Sequence, residues 1–235
     1  WVILCSPSNP TGAAYTRAEL KALTDVLVKH PHVWVMTDDM YEHLVYDDFQ
    51  FTTPAQVEPK LYDRTLTVNG VSKAYCMTGW RLGYCGGPKE LVTAMSTIQG
   101  QSTSNASSIT QRAAVVALNG DQQCVAEMNV QYKKRHDYIV EGLNSLPGIS
   151  CLPGAGTFYA FADVSAAMHG MGCRDDNAFA ELLLNEGGVA VVPGSGFGAP
   201  GHMRISFACS METLEKAIDR MARKIGEVGD EVVAF

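Results

Sequence analysis

Four stretches of the 235-residue sequence carry residue types that could do chemistry together. "WVILCSPSNPTG" supplies Asn9, "VWVMTDDMY" supplies Asp38, Asp39 and Tyr41, "LTVNGVSK" supplies Lys73, and "MTGWRLGY" supplies Arg81. The first three stretches each begin as a short apolar run and end on a polar or charged group. In open α/β sheets ligands bind beyond the carboxyl ends of the strands, so these residues stand where a pocket is expected. Each also has a purely structural explanation. Asn9 before Pro10, Thr11 and Gly12 makes a turn, Asp38 caps a following helical turn, Lys73 is a solvated charge, and Arg81 stacks on Trp80. Their recurrence at equivalent strand ends favours one shared site over four coincidences.

The chemistry of that site follows from the groups. An amine beside a guanidinium, as Lys73 would be near Arg81, has its ammonium form disfavoured, leaving free amine to form an imine with an aldehyde. A buried carboxylate such as Asp38 holds a heteroaromatic nitrogen in its protonated form. An arginine fork takes phosphate in a bidentate grip. Aldehyde, pyridine nitrogen and phosphate on one molecule describe pyridoxal 5′-phosphate (PLP). Lys73 and Arg81 are eight positions apart, about 26 Å if fully extended. The chain must therefore turn at Thr78 and Gly79 for both to reach one ligand.

The elements that position these residues are legible in outline. "WVIL", "VWVMT" and "LTVN" read as parallel strands covered on both faces. Between the first two, Thr16 and Glu19 form a capping box ahead of Leu20, Leu23 and Leu27 at helical spacing, completing a βαβ crossover. Pro88 fits the first turn of a helix carrying Leu91 and Met95, and "ITQRAAVVAL" continues helical. Residues 123–146 read as one long helix closed by Pro147 and Gly148. A boundary near 128 divides the chain into 1–128, a portion of a large cofactor-binding domain, and 129–235, a small α+β domain. In the latter "TFYAFADV", "VAVVP" and "MRISFA" read as strands, and Ser210 caps a last helix facing inward through Leu214, Ile218, Met221 and Ile225.

Composition narrows the function classes. Eighteen basic against 25 acidic residues give a net charge of -7, which argues against nucleic acid or an anionic membrane as the partner. No apolar stretch reaches the length of a membrane span, and no leader pattern is present, so a soluble protein is expected. Seven cysteines without a C-x-x-C pair suit a reducing compartment, the cytoplasm. His30 and His32 have no further ligand at metal-binding spacing, so no metal is expected. The chain opens on a strand-like run without an initiator methionine and is read as a cut piece whose N-terminal portion is absent.

At the residues above, the sequence resembles the class I (fold type I) PLP-dependent aminotransferases, particularly the bacterial aspartate aminotransferase branch. "SNPTG", "DDMYEHLVY", "NGVSKAYCMTGWRLGY", "GTFYAFADVS" and "VVPGSGFGAPGHMRISFA" carry the resemblance, in order, over nearly the whole chain. It implies an α/β fold with a mostly parallel sheet flanked by helices, plus the smaller α+β domain. It assigns Lys73 as the Schiff-base lysine and proton shuttle, and Asp38 as the pyridinium partner. Asn9 and Tyr41 become hydrogen-bond partners of the cofactor's phenolic oxygen, and Arg81 the phosphate ligand. Arg204 receives the substrate α-carboxylate, and Asn9 is counted among the substrate-binding residues as well. Asp39 stands where the family usually has glutamate, and a structural role is expected for it. "PGSGFGAPG" lacks the G-K-[ST] of a P-loop and reads either as turns before a strand or as a lid near the substrate.

The implied activity is ping-pong transfer of an amino group from an L-amino acid to a 2-oxo acid, with aspartate the first expected donor and aromatic amino acids or prephenate close behind. A homodimer is implied as well. The family's small-residue phosphate loop, ring-stacking aromatic residue and side-chain-reading residues precede the stretch matched here. Alternatives that keep the same residues are a PLP-dependent lyase or synthase, an aminotransferase-like regulatory module, and an inactive fragment.

Overall fold

Thr16 and Glu19 close the first helix as their spacing predicts. The Thr16 N–H donates to the Glu19 carboxylate at 2.8 Å, and the Glu19 N–H donates to the Thr16 hydroxyl at 3.3 Å. The helix they start, α1 (Arg17–Val28), buries Leu20 and Thr24. Leu23, expected on that face, is instead 37% exposed. Thr24 takes the buried position because its hydroxyl is satisfied locally by the Lys21 carbonyl at 3.0 Å. Arg64 closes the far end, donating to the carbonyls of Leu27 (2.7 Å), His30 (3.1 Å) and Val33. A cation there meets the negative end of the helix dipole and shares carbonyls of the turn that follows it.

The computed structural model describes residues 1–231. These fall into two units, Trp1–Ser8 with Ala13–Asn129, and Asn9–Gly12 with the chain from Val130 onward. Among the described residues no helix is long and apolar enough to cross a membrane.

In the first unit β1 (Val2–Cys5), β2 (Val35–Asp38) and β3 (Thr65–Gly70) lie side by side and parallel. Cys5 pairs with Asp38 and Asp38 with Val68, so β1 and β2 end level beside the last turn of β3. The short helix α2 (Pro54–Val57) lies between β2 and β3 in sequence. A fourth strand, β4 (Gly83–Gly86), runs antiparallel to β3 with Gly70 opposite Gly83. Its sequence, "GYCG", carries no strand signal of its own; pairing to β3 makes it a strand. Three helices follow, α3 (Lys89–Gly100), α4 (Ser108–Asn119) and α5 (Gln123–Asn144), the last ending in the second unit. Pro88 stands at the N-cap of α3 rather than within its first turn. No residue of α3 is buried, and Met95, which this helix carries, is exposed. Ala114 of α4 packs with Val71 and Leu82, which anchors the 71–82 loop at both ends.

The second unit holds an antiparallel sheet of β5 (Ser150–Cys151), β6 (Tyr159–Asp163), β7 (Val192–Pro193) and β8 (His202–Ser206), in the order β5-β6-β8-β7. "VAVVP" is a strand only in its last two residues, since Val189 turns into the core. Asn144, at the end of α5, pairs with both the N–H and the C=O of Cys151, each at 2.8 Å, imitating a strand partner for β5. Helices α6 (Ser165–Gly170), α7 (Asp176–Asn185) and α8 (Met211–Glu231) complete the unit. Leu214, Ile218, Met221 and Ile225 of α8 are all buried, and the Ser210 hydroxyl caps the helix at Thr213 N.

Candidate active site

Asp38 ends β2, and its Oδ1 accepts the Met40 N–H at 3.2 Å, so the chain turns on this carboxylate as the structural reading of Asp38 requires. Successive strand residues point to opposite faces. Asp39 accordingly takes the other side, buried among the hydroxyls of Thr53 and Thr37, and burial pushes its carboxyl up to about 6 despite those hydroxyls. Asp39 is thus walled in as a structural group.

Tyr41 lies just beyond, itself buried, and the Lys73 amine sits 6.0 Å from the centre of its ring. What holds these two loops together is a bridge that sequence reading missed. The Asn69 Oδ1 accepts the Gly70 N–H (2.7 Å) while the Asn69 side-chain NH2 donates to Glu42 Oε1 (2.7 Å), tying the end of β3 to the residue after Tyr41. Gly70 and Gly83 are opposite one another in the β3–β4 ladder, so the intervening loop closes on itself. Lys73 stands three residues into that loop and Arg81 two residues before its exit. The turn expected at Thr78 and Gly79 is a single 3-10 turn over Thr78–Trp80. Arg81 follows it in the left-handed region, φ 51° and ψ 52°. Its exposed guanidinium donates one N–H to the Thr78 carbonyl at 2.9 Å.

In the second unit Arg204 is opposite Phe161 across the β6–β8 ladder, which puts Tyr159, two residues from Phe161, diagonally across on the same face. The guanidinium lies over the Tyr159 ring at 4.5 Å and beside Phe197 at 5.0 Å. One Nη1–H donates to the Asn9 side-chain oxygen at 2.8 Å, whereas the buried Nε–H has no acceptor among the described residues. A planar fork, stacked on two rings and lacking an acceptor at Nε, is suited to a carboxylate.

Asn9 is held in place by the backbone. Ser8 N bonds Ala13 O (2.8 Å), closing a loop whose interior includes Gly12, and Gly156 N donates to Gly12 O at 3.1 Å. Gly12 has φ +69°, and a Cβ there would come within 2.9 Å of Gly156 O. "NPTG" is therefore more than a turn. Phe197 comes from the 3-10 turn Gly194–Phe197 inside "PGSGFGAPG". The Ser195 N–H donates to the buried Asp176 carboxylate at 2.6 Å, pinning this loop to the start of α7. Neither Tyr159 nor Phe197 was singled out from sequence. Both lie in stretches that carry the family resemblance, but only the strand register and the 3-10 turn reveal that they flank Arg204.

A sheet with level parallel strand ends bearing acid, phenol and amine, followed by an antiparallel unit bearing an arginine fork, has the fold type I architecture that the resemblance implied. The family model of aminotransferase class I and II matches residues 1–221, and the chain belongs to that family. It is 57% identical over 226 residues to an aspartate/prephenate aminotransferase of Cereibacter sphaeroides, covering 94% of this chain and 56% of that protein. Among solved structures, the aspartate aminotransferase of Rhizobium meliloti superposes with a TM-score of 0.91 at 49% identity, covering 96% of this chain and 58% of that one. A Thermus thermophilus aspartate aminotransferase solved with maleate gives 0.85 at 42% identity over 94% of this chain and 56% of that one. The chain spans somewhat more than half the length of these relatives.

Proposed function

We propose that the protein to which this chain belongs is a PLP-dependent aminotransferase that moves an amino group from an L-amino acid, aspartate-like or aromatic, to a 2-oxo acid by a ping-pong route. The observation that carries this reading is the Lys73 amine beside the Tyr41 ring, in a loop tied by Asn69 and Glu42 to the turn that follows Asp38. Its support in the second unit is the Arg204 fork on Tyr159 and Phe197.

The donor set fits PLP: an amine, a carboxylate, a phenol and an exposed guanidinium in one unit, and an amide with a carboxylate receptor in the other. When bound, the cofactor supplies an electron sink for charge developing at the substrate Cα. Asp38 would keep a proton on the ring nitrogen. Tyr41 would donate to the phenolic oxygen, a role the resemblance also gives to the Asn9 amide, and Arg81 would hold the phosphate with the N–H groups not spent on Thr78. Lys73 would take the proton from the substrate Cα and return it. Arg204 receives the α-carboxylate, with Tyr159 and Phe197 excluding water from the pair.

The names of the relatives favour aspartate or prephenate chemistry, and the maleate bound by the Thermus enzyme, a dicarboxylate, favours an acidic side chain in the substrate. The reading extends to the cytoplasm, a compartment that would keep the seven cysteines, none of them in a disulfide, reduced. A homodimer belongs to the same proposal.

In the full-length protein, aspartate should yield more than one equivalent of oxaloacetate per site only when a 2-oxo acid acceptor is supplied, and Lys73→Ala should reduce that rate to background. Wild-type turnover in Lys73→Ala, or repeated turnover of the amino acid without an acceptor, would overturn the assignment; the second result would point to a lyase.

A further inference from the structure

We infer that His136 is a positioning residue for Arg204, holding the carboxylate receptor from two directions at once. The inference rests on the reading of Arg204 given above. His136 lies on α5 and is only 4% exposed. The Gly154 N–H points at its Nε2, 3.1 Å away. A backbone N–H only donates, so Nε2 must carry the lone pair and the ring proton must sit on Nδ1. That proton faces Asp137 Oδ1 at 3.0 Å, which fixes the tautomer. The edge of the ring meets Phe207 at 5.9 Å, inclined by 68°.

From these two partners two supports run to Arg204. The first is backbone. Gly154 and Gly156 form the floor on which Gly12 lies: a Cβ on Gly154 would fall 3.1 Å from Gly12 Cα, and Gly156 N donates to Gly12 O. Three residues before Gly12, the Asn9 oxygen receives the Arg204 Nη1–H. The second support is aromatic. The Phe207 N–H donates to Phe158 O at 2.9 Å, Phe158 packs on Tyr159 at 4.8 Å between ring centres, and Tyr159 carries the guanidinium. Tyr132 closes this row, 6.4 Å from Phe207 and 5.5 Å from Phe158.

Histidine is suited to the junction because the position needs both a buried acceptor for an N–H and a flat apolar edge. Phenylalanine offers the edge without the acceptor, and glutamine the acceptor without the ring. With His136 in place, both the amide that pairs with the guanidinium and the ring beneath it are referenced to one side chain on a long helix. The Arg204 fork is thereby set before any ligand arrives.

The test reads Arg204 directly and uses no carboxylate, so its outcome does not depend on what Arg204 binds. In nitrogen-15 NMR spectra of the full-length protein, His136→Phe should speed exchange of the Gly154 amide about tenfold, the effect of losing one buried hydrogen bond. It should also shift or broaden the Arg204 Nε–H signal. His136→Gln, which returns the acceptor but not the ring, should restore the Gly154 protection and part of the Arg204 signal. Asp137→Ala, at an exposed position that leaves the core untouched, should perturb the same two signals about threefold less in exchange, by loosening the tautomer. An Arg204 signal unchanged in His136→Phe, or in Asp137→Ala should the phenylalanine variant not fold, would overturn the proposal. So would restored Gly154 protection in His136→Gln without recovery at Arg204.

Discussion

At the scale of single residues, neighbouring positions in this chain have opposite environments. Asp38 and Asp39 are adjacent carboxylates, yet one ends its strand by accepting the Met40 N–H and the other is sealed among threonines. Burial raises the Asp39 carboxyl from 3.8 to about 6. The folded state therefore holds this proton more tightly than the unfolded state between those values. Stability is greatest below the unfolded value and is lost as pH rises through 6, by at most about 3 kcal/mol at 1.36 kcal/mol per unit. Asp39→Asn keeps the shape and hydrogen bonding while removing the charge. It should flatten the stability of this unit across pH 4 to 7 and raise it at neutral pH, as urea unfolding monitored at several pH values would show. A variant as steeply pH-dependent as the parent would place the titration elsewhere.

At the scale of elements, local signals and long-range pairing divide the work. The capping box of α1 is complete within four residues, and Thr16→Ala should cost about 1 kcal/mol, measured as a lower urea midpoint with unchanged slope. The inward face of α8 is likewise written in its own periodicity. By contrast β4 exists because β3 lies beside it, and the burial of Thr24 rather than Leu23 depends on which side of α1 meets the rest of its unit. The 71–82 loop shows both influences. Its turn at Thr78 and Gly79 is visible in "MTG", but its closure depends on the glycine pair at its base and the packing of Val71 and Leu82 on Ala114.

At the scale of the whole molecule, a short peptide is assigned away from its sequence neighbours. Asn9–Gly12 belongs to the second unit although residues on both sides of it belong to the first. The second unit thus takes a four-residue peptide, with the acceptor for the Arg204 Nη1–H, from a distant part of the chain. Gly12→Ala tests that placement. The left-handed backbone costs an alanine about 1–2 kcal/mol, and the new Cβ would meet Gly156 O at 2.9 Å. Denaturant unfolding should show the second unit destabilised by about 2 kcal/mol or more, with the Arg204 Nε–H signal altered. An alanine tolerated without loss would mean that this peptide does not rest on Gly156.

Short-range physics made much of the protein readable from sequence: polar residues ending apolar runs, the cap at Thr16, the apolar row of α8, and the ordered motifs that identify the family. Each signal is complete within one element or one turn, so it survives without knowledge of the rest. The supports of Arg204 were not readable, because Asn9, His136, Gly154, Tyr159 and Phe197 come from distant segments. They meet only through strand register and backbone packing, which are set by the simultaneous pairing of the whole unit rather than by any window of its sequence.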